Sequence, residues 1–565
     1  MSESWRLLLA TAFCVDNCHC DGIVSFPRPD GRGSAPGVSW GVDPPQLPAS
    51  SGLLRGGQVL SLVPGVEGDA IWWQEGVIRA VATAAELERR VPSRVPRYDL
   101  PRTLITPGIV DGHTHFAMWA QGRRRVHLAG ASRRSEALRR VAGGTIEQGW
   151  LRGHGWDANR WDEAPDRRSL DAVVQAPVFL ESVDIHAAWV NSAALARAGV
   201  DRSTPDPVGG RIVRDAAGEP TGLLLERAVD LVRAVLPAPD PEGLVTALRQ
   251  AQADAHALGL TGIHSMEGPD ALRAFQTLER RGELRLRVFF HPPVAQLPDL
   301  LRHQARSGEG TGWLALGGIK LFLDGSLGSR TAWMLEPYEG GADHGLPLAD
   351  TANARRVVEA AAGAGIASTI HAIGDAAVRQ ALDLLAPLPS AALPHRIEHF
   401  QCVHPADLGR AAAHGIVLSM QPAHLPADVA LAEERWGARS SRVYPFRSLQ
   451  ESGAVLAFGS DVPVASPDPR QGIAAAMARV AADGSFGEGW HAGERLDFES
   501  ALRAYTVGNA IAGGVASRRG RLAPGYDADL VVWSLDAGVA RGDWLAVREA
   551  QVRLTVVAGE VVFRR

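Results

Sequence analysis

GIVDGHTHF, residues 108–116, is a short apolar run that ends in two histidines, and its reading decides the fold. Successive side chains of a strand point to opposite faces, so His113 and His115 share one face and stand together at the carboxyl end of the run. Seven further runs of the same kind follow. They are LTGIHSM at 260–266, LRLRVFFH at 284–291, GGIKLFLDG at 317–325, ASTIHAIGD at 367–375, RIEHFQ at 396–401, IVLSMQP at 416–422 and AVLAFGSDVP at 454–463. Stretches with Ala and Leu at helical spacing, such as 246–258, 269–282, 351–364 and 374–387, separate them. Strands alternating with helices predict an α/β fold with a parallel sheet, and eight such repeats predict a closed (β/α)8 TIM barrel whose site lies at the strands' carboxyl ends.

The remaining segments group around that barrel, which is expected over residues 107–515. The connection after strand 1, about 117–241, is too long for a plain crossover and predicts an inserted subdomain with its own helices and strands. GQVLSLV, DAIWWQEGVIRAVA and RTLITP within 53–106 alternate as short strands do, as do DADLVVWSL and VRLTVVAGEVVFRR within 516–565. Two strand-rich ends predict one small composite β-sandwich built from the N- and C-terminal segments. Residues 1–52, rich in Pro, Gly and Ser, read as a disordered extension. The cluster Cys14, Cys18, His19, Cys20 inside it matches no ordinary zinc-knuckle spacing.

Composition narrows the function classes. The 565 residues are 46% hydrophobic and 21% charged, the proportions of a globular enzyme. With 58 basic against 63 acidic side chains there is no basic field to hold nucleic acid. No run of eighteen apolar residues offers a membrane span, and four cysteines, three of them crowded near the start, make no disulfide framework. A cytoplasmic protein acting on a small molecule is the expectation, and a homodimer is compatible with it. The apolar stretch Trp5–Phe13 follows Glu3 and leads to no clean cleavage site, which argues against a signal peptide.

Lys320 is the single lysine of the chain. Arginine stays protonated at any reachable pH, whereas a lysine amine in a dry pocket can become a nucleophile or a carbamate. Lys320 falls on the fourth strand, His371 and His399 close the fifth and sixth, and Asp461 closes the eighth. Any one of these could be an ordinary core residue. Together they form a convergent set of nitrogen and oxygen donors suited to a hydrolytic metal site. A carbamate on Lys320, formed with carbon dioxide, could bridge two divalent ions about 3.5 Å apart.

PGIVDGHTHF, KLFLDGSLGSRTA, HAIGD, RIEHF, FGSDVP and the closing LAPGYDADLVVW resemble the amidohydrolase superfamily, specifically amidohydrolase family 3, whose members include N-substituted formamide deformylases. The resemblance runs from about residue 53 to 565. It implies a (β/α)8 barrel with a β-sandwich and a dinuclear centre. His113, His115 and Asp461 would hold one ion, His371 and His399 the other, with carbamylated Lys320 between them. The implied chemistry is hydrolysis of a non-peptide C–N bond, in an amide or N-substituted formamide, by a metal-bridging hydroxide. Asp461 is read as general base and acid because it is the one carboxylate seen in the ring. Zinc comes first among the metals, although manganese, iron and cobalt suit the same ligands. Trp119, Trp156, His186, Trp189, Arg330, His424 and Trp436 are candidates for lining the substrate pocket, and Asp324 and Asp375 for orienting metal ligands from behind. Two alternatives remain at this stage: a mononuclear zinc deaminase of a cyclic substrate, which needs no bridging lysine, and a catalytically silent barrel.

Overall fold

The computed structural model describes residues 50–565, apart from 123–124, 162, 238–239 and 390. The cysteine cluster and nearly all of the predicted N-terminal extension lie outside the described residues. The first strand, Gly52–Arg55, begins one residue before the expected boundary.

All eight predicted central strands form, and all pair in parallel. Leu314–Leu316, Arg287–Phe290, Leu260–Ser265 and Ile109–Thr114 lie in that order in a four-stranded sheet. Ile319–Phe322, Ser368–Ala372, Arg396–His399, Val417–Met420 and Leu456–Phe458 make a five-stranded sheet. The two sheets meet at both edges, through parallel bridges of Thr114 with Val462 and of Pro293 with Lys320. At the first edge Asp461 N–H donates to His113 O (2.7 Å) and His115 N–H to Val462 O (2.8 Å), which ties two candidate ligand strands directly together.

The fourth run departs from its predicted 317–325 boundaries. It starts earlier, at Leu314, and is interrupted at Gly317–Gly318. A Cβ on Gly317 would lie 2.5 Å from the His291 ring and one on Gly318 2.7 Å from Ala367 O, so the chain bends where only glycine can pass so close.

The helices between the strands carry their own start signals. Asp240 and Asp350 cap Pro241–Ala257 and Thr351–Gly363 by accepting the N–H of Gly243 and Asn353, with Pro241 at the first turn of the former. Pro269–Arg280 buries Ala271, Leu272, Phe275 and Leu278 on one face, the stripe that fastens it to the sheet.

The section 117–241 forms a mixed seven-stranded sheet of its own, ordered Gly210–Arg214, Pro220–Glu226, Ala187–Val190, Val178–Ser182, Trp150–Trp156 and Val126–His127, with Ile146–Glu147 beside Trp150–Trp156. The chain ends supply two further sheets. One holds Val77–Ala82, Ala70–Gln74, Gly52–Arg55 and Arg97–Asp99. The other runs Gln58–Val59, Leu104–Pro107, Leu530–Trp533, Val552–Val557 and Glu560–Arg564, so strands from both ends join in one sheet where Leu104–Pro107 pairs with Leu530–Trp533. Leu54, Ile71, Trp73, Ile105, Leu530, Leu554 and Val556 pack into one cluster between them. Among the described residues no helix is long and apolar enough to cross a membrane.

Candidate metal centre

His113 and His115 stand side by side on the first strand, ring centroids 5.6 Å apart, and both reach the same acceptor: their Nε2 atoms lie 3.4 and 3.2 Å from Asp461 Oδ1. His399 sits 5.1 Å from His113 and 4.4 Å from His371, ring to ring. His113, His399 and Asp461 each offer a donor atom within 4.8 Å of the others. The backbone at His399, Phe400 and Asp461 is left-handed (φ 69°, 44° and 60°), a region that His and Asp visit more readily than most residues and that is costly for Phe400, and it turns the chain at the strand ends that carry ligands. Lys320 is buried on a strand that pairs Phe322 with His371. Its Nζ lies 4.8 Å from the Phe322 ring centre, and its positive charge reaches His113, His371 and His399.

The electrostatics suit a cation. Burial, together with the charge of Lys320, holds His113 down at about 4. Burial and neighbouring cationic groups hold His371 and His399 well below the usual imidazole range. All three are therefore neutral near pH 7 and offer lone pairs. At His115 burial is the largest single influence but is outweighed by Asp461 and Glu267, which raise it. Asp461 is held below the usual carboxylate range, its desolvation overcome by His113 and His115. Three neutral imidazoles and an ionised carboxylate converging in a buried space are a donor set that fits divalent metal.

Asp461 is not, however, the sole carboxylate of the ring. Glu398 Oε2 lies 2.6 Å from His113 Nδ1 and is itself gripped by Arg396, whose Nε donates to Oε1 (2.6 Å) and Nη2 to Oε2 (3.0 Å). Arg396 and His113 keep Glu398 ionised despite burial, so Nδ1 carries the proton and Nε2 is left to bind metal. The signal was present in RIEHF: Arg396 and Glu398 are two apart on a strand and share a face, whereas attention fell on His399 alone. Asp324 accepts the N–H groups of Ile373 (3.0 Å), Gly374 (2.8 Å) and Trp333 (2.9 Å) and lies 3.6 Å from His371 Nε2, whose nearer partner is Gly325 O (3.1 Å). Asp375 does something else. It accepts Leu335 N–H at 2.8 Å and pins the loop after the fourth strand rather than a ligand.

A cavity of about 390 Å³ opens onto His371, His399 and Asp461, and Trp156, His186, Arg330 and His424 line it. Trp119, Trp189 and Trp436 do not. Trp119 packs on Phe116 (5.3 Å) against the main hydrophobic core, Trp189 donates its indole N–H to Asp166 O (3.1 Å) within the 117–241 section, and Trp436 is buried beside Tyr338. Large rings on the buried faces of elements are core first, which spacing alone could not separate from pocket walls.

His186 comes from the insertion. Its Nδ1 lies 2.8 Å from Glu226 Oε2, while Glu226 Oε1 accepts the Thr331 hydroxyl (2.6 Å). Asp184 takes the hydroxyls of Ser326 (2.6 Å) and Ser329 (2.8 Å). The loop GSLGSRT, read as a family motif, is thus the clasp between the 117–241 section and the central sheets. Asp184 and Glu226 were missed because their partners are remote in sequence. Although burial opposes it, pairing with Glu226 and Asp184 pushes His186 up to about 9.

Residues 98–563 match the model of the amidohydrolase family. The chain belongs to that family. YtcJ of Bacillus subtilis (strain 168), classed by name among the amidohydrolases, is 31% identical over 91% of this chain and 99% of its own. The N-substituted formamide deformylase of Arthrobacter pascens is 27% identical over 87% of this chain and 94% of its own. Among solved structures, an uncharacterized metal-dependent hydrolase from Pyrococcus horikoshii OT3 superposes with a TM-score of 0.71 at 28% identity, covering 86% of this chain and 97% of that one. This amidohydrolase is accordingly a metal-dependent hydrolase acting on carbon–nitrogen bonds other than peptide bonds.

Proposed function

We propose that the amidohydrolase cleaves a small amide or N-substituted formamide at a dinuclear centre, in the cytoplasm, and that its two parallel sheets make the closed (β/α)8 barrel with the terminal sheets as a composite sandwich. In this reading His113, His115 and Asp461 would hold one divalent ion, with zinc first, and His371 and His399 the other. Lys320, once its neutral amine has added to carbon dioxide and released a proton, would supply a carbamate as a shared anionic ligand. Bound ions would supply Lewis acidity, acidifying a water and polarising the substrate carbonyl.

The chain's own groups do the rest. Glu398 fixes the His113 tautomer and Asp324 orients His371. Asp461 accepts the proton of the attacking water and passes it to the departing amine. His186, held by Glu226 at the cavity wall, is placed to bind the substrate, together with Trp156, Arg330 and His424. The observation that carries the reading is the convergence of donor atoms of His113, His399 and Asp461 within 4.8 Å of one another, with His371 and the buried Lys320 beside them.

A single-ion, deaminase-type reading draws on the tightness of the His113, His399 and Asp461 set. Metal analysis of the wild type and of Lys320→Ala separates the two. Two ions per chain, falling to one or none with loss of turnover in the variant, supports the dinuclear hydrolase. One ion per chain and unchanged turnover in the variant overturns it.

A further inference from the structure

A second pair of adjoining cavities lies in the seam between the insertion and the barrel, sharing no lining residue with the cavity over the metal ligands. The larger, of about 460 Å³, is lined by Gln121, Arg125, Trp150, Arg152, Leu244 and Ala247 among others; the smaller, of about 60 Å³, continues from Arg125 and Arg152 to Arg233 and Glu181. Three guanidinium groups therefore face one space.

Their counter-ions do not match them in number. Glu181 is shared between Arg233 (3.2 Å) and Arg125 (3.5 Å), and Arg233 also takes Asp230 (2.6 Å). Arg125 donates its other arm to the Gln121 carbonyl oxygen (2.7 Å). The other lining carboxylates are engaged or at the rim. Asp240 caps the helix that starts at Pro241, Glu267 accepts the N–H groups of Ala117 and Met118, Asp270 pairs with Arg273, and Glu147 is exposed. Arg152 makes no hydrogen bond or ion pair with any described residue, although its Nε is fully shielded from solvent. Burial and the adjacent charge of Arg125 pull its guanidinium down to about 9, against the longer-range attraction of Glu181 and Glu147.

The Nη groups of Arg152 open onto this space with no partner among the described residues, and a guanidinium fork matches a two-oxygen acid face to face. Beside it, Trp150, Phe179, Leu244 and Ala247 supply apolar wall. We propose that this seam is a binding site for a small organic carboxylate with a short apolar body, its carboxylate paired with Arg152 and flanked by Arg125, and that it is separate from the catalytic cavity.

Calorimetric titration of the metal-loaded, full-length enzyme at constant ionic strength tests this with three probes: butyrate, inorganic phosphate and butylammonium. Butyrate is expected to bind saturably and butylammonium not at all. Arg152→Met should weaken butyrate at least about tenfold, the size of one lost charge-assisted pair. Ala247→Phe, which fills the pocket while leaving the guanidinium cluster intact, should abolish binding with turnover retained, and it serves if Arg152→Met does not fold. Butyrate binding that survives both substitutions would place the carboxylate on the metal and overturn the proposal. Absence of binding to the wild type, or saturable binding of phosphate alone, would overturn it equally.

Discussion

At the scale of single residues, the centre depends also on groups that would not touch the metal themselves. Glu398 is buried against Arg396 and fixes the proton of His113 on Nδ1. Glu398→Gln keeps the shape but removes the charge, and lets the amide present a donor to Nδ1 instead. Metal affinity, measured by competition with a chromogenic chelator, should fall by about ten- to a hundredfold, the usual cost of losing such a partner. Asp461→Asn should behave differently: turnover is expected to drop at least about a hundredfold, with a smaller loss of bound metal, if Asp461 moves the proton. Near-normal turnover in metal-replete Asp461→Asn would remove it from that role. The ligand residues themselves were legible because strand-end His and Asp sit in short, recognisable strings. Glu398 and the clasp residues Asp184 and Glu226 were not, since their meaning lies in partners 285, 142 and 105 positions away.

At the scale of elements, apolar runs and their spacing disclosed all eight central strands and the helices between them, because burial on both faces leaves an unmistakable run. What the pattern could not show is where close approach breaks a strand, as at Gly317–Gly318, or which tryptophans face inward. The helix Pro241–Ala257 carries a pH response. His256 near its end is buried, its Nδ1 lies 3.0 Å from Leu260 O, and its own carbonyl accepts the Thr555 hydroxyl (2.7 Å), fastening helix to C-terminal strand. Burial depresses His256 from 6.5 to about 4. The unfolded chain therefore takes up a proton first as pH falls, so the stabilisation is complete above about 6.5 and is lost progressively down to about 4. That shift corresponds to roughly 3 kcal/mol. In His256→Gln the denaturant midpoint should fall less steeply between pH 7 and pH 4 than in the wild type. Parallel curves would show that His256 titrates freely.

At the scale of the whole molecule, the two ends of the chain are one structural unit. Leu104–Pro107 lies antiparallel to Leu530–Trp533, which pairs in turn with Val552–Val557, and the Trp73 indole N–H donates to Gly559 O (2.9 Å) across the closing turn. Strand-rich ends suggest one composite sheet built from both termini; which strands join them, Leu104–Pro107 and Leu530–Trp533, is a long-range pairing that no local pattern shows. The consequence is cooperative. Val552, Leu554, Val556 and Val557 are all buried, and each buried aliphatic side chain contributes about 1.5–3 kcal/mol. Their combined loss is comparable with the roughly 5–15 kcal/mol by which a domain is stable at all. Deleting residues 551–565 also leaves Leu530–Trp533 as an open edge beside Ile105 and Leu54, an apolar edge prone to pair with other chains. The shortened chain is expected to aggregate or to lose the cooperative thermal transition, read by soluble yield and by calorimetry. Because Arg287 pairs with Asp529 (3.2 Å), joining a central strand to the terminal sheet, the loss should extend to metal binding. A truncated protein that still melts cooperatively and holds its metal would show instead that the central sheets fold without the ends.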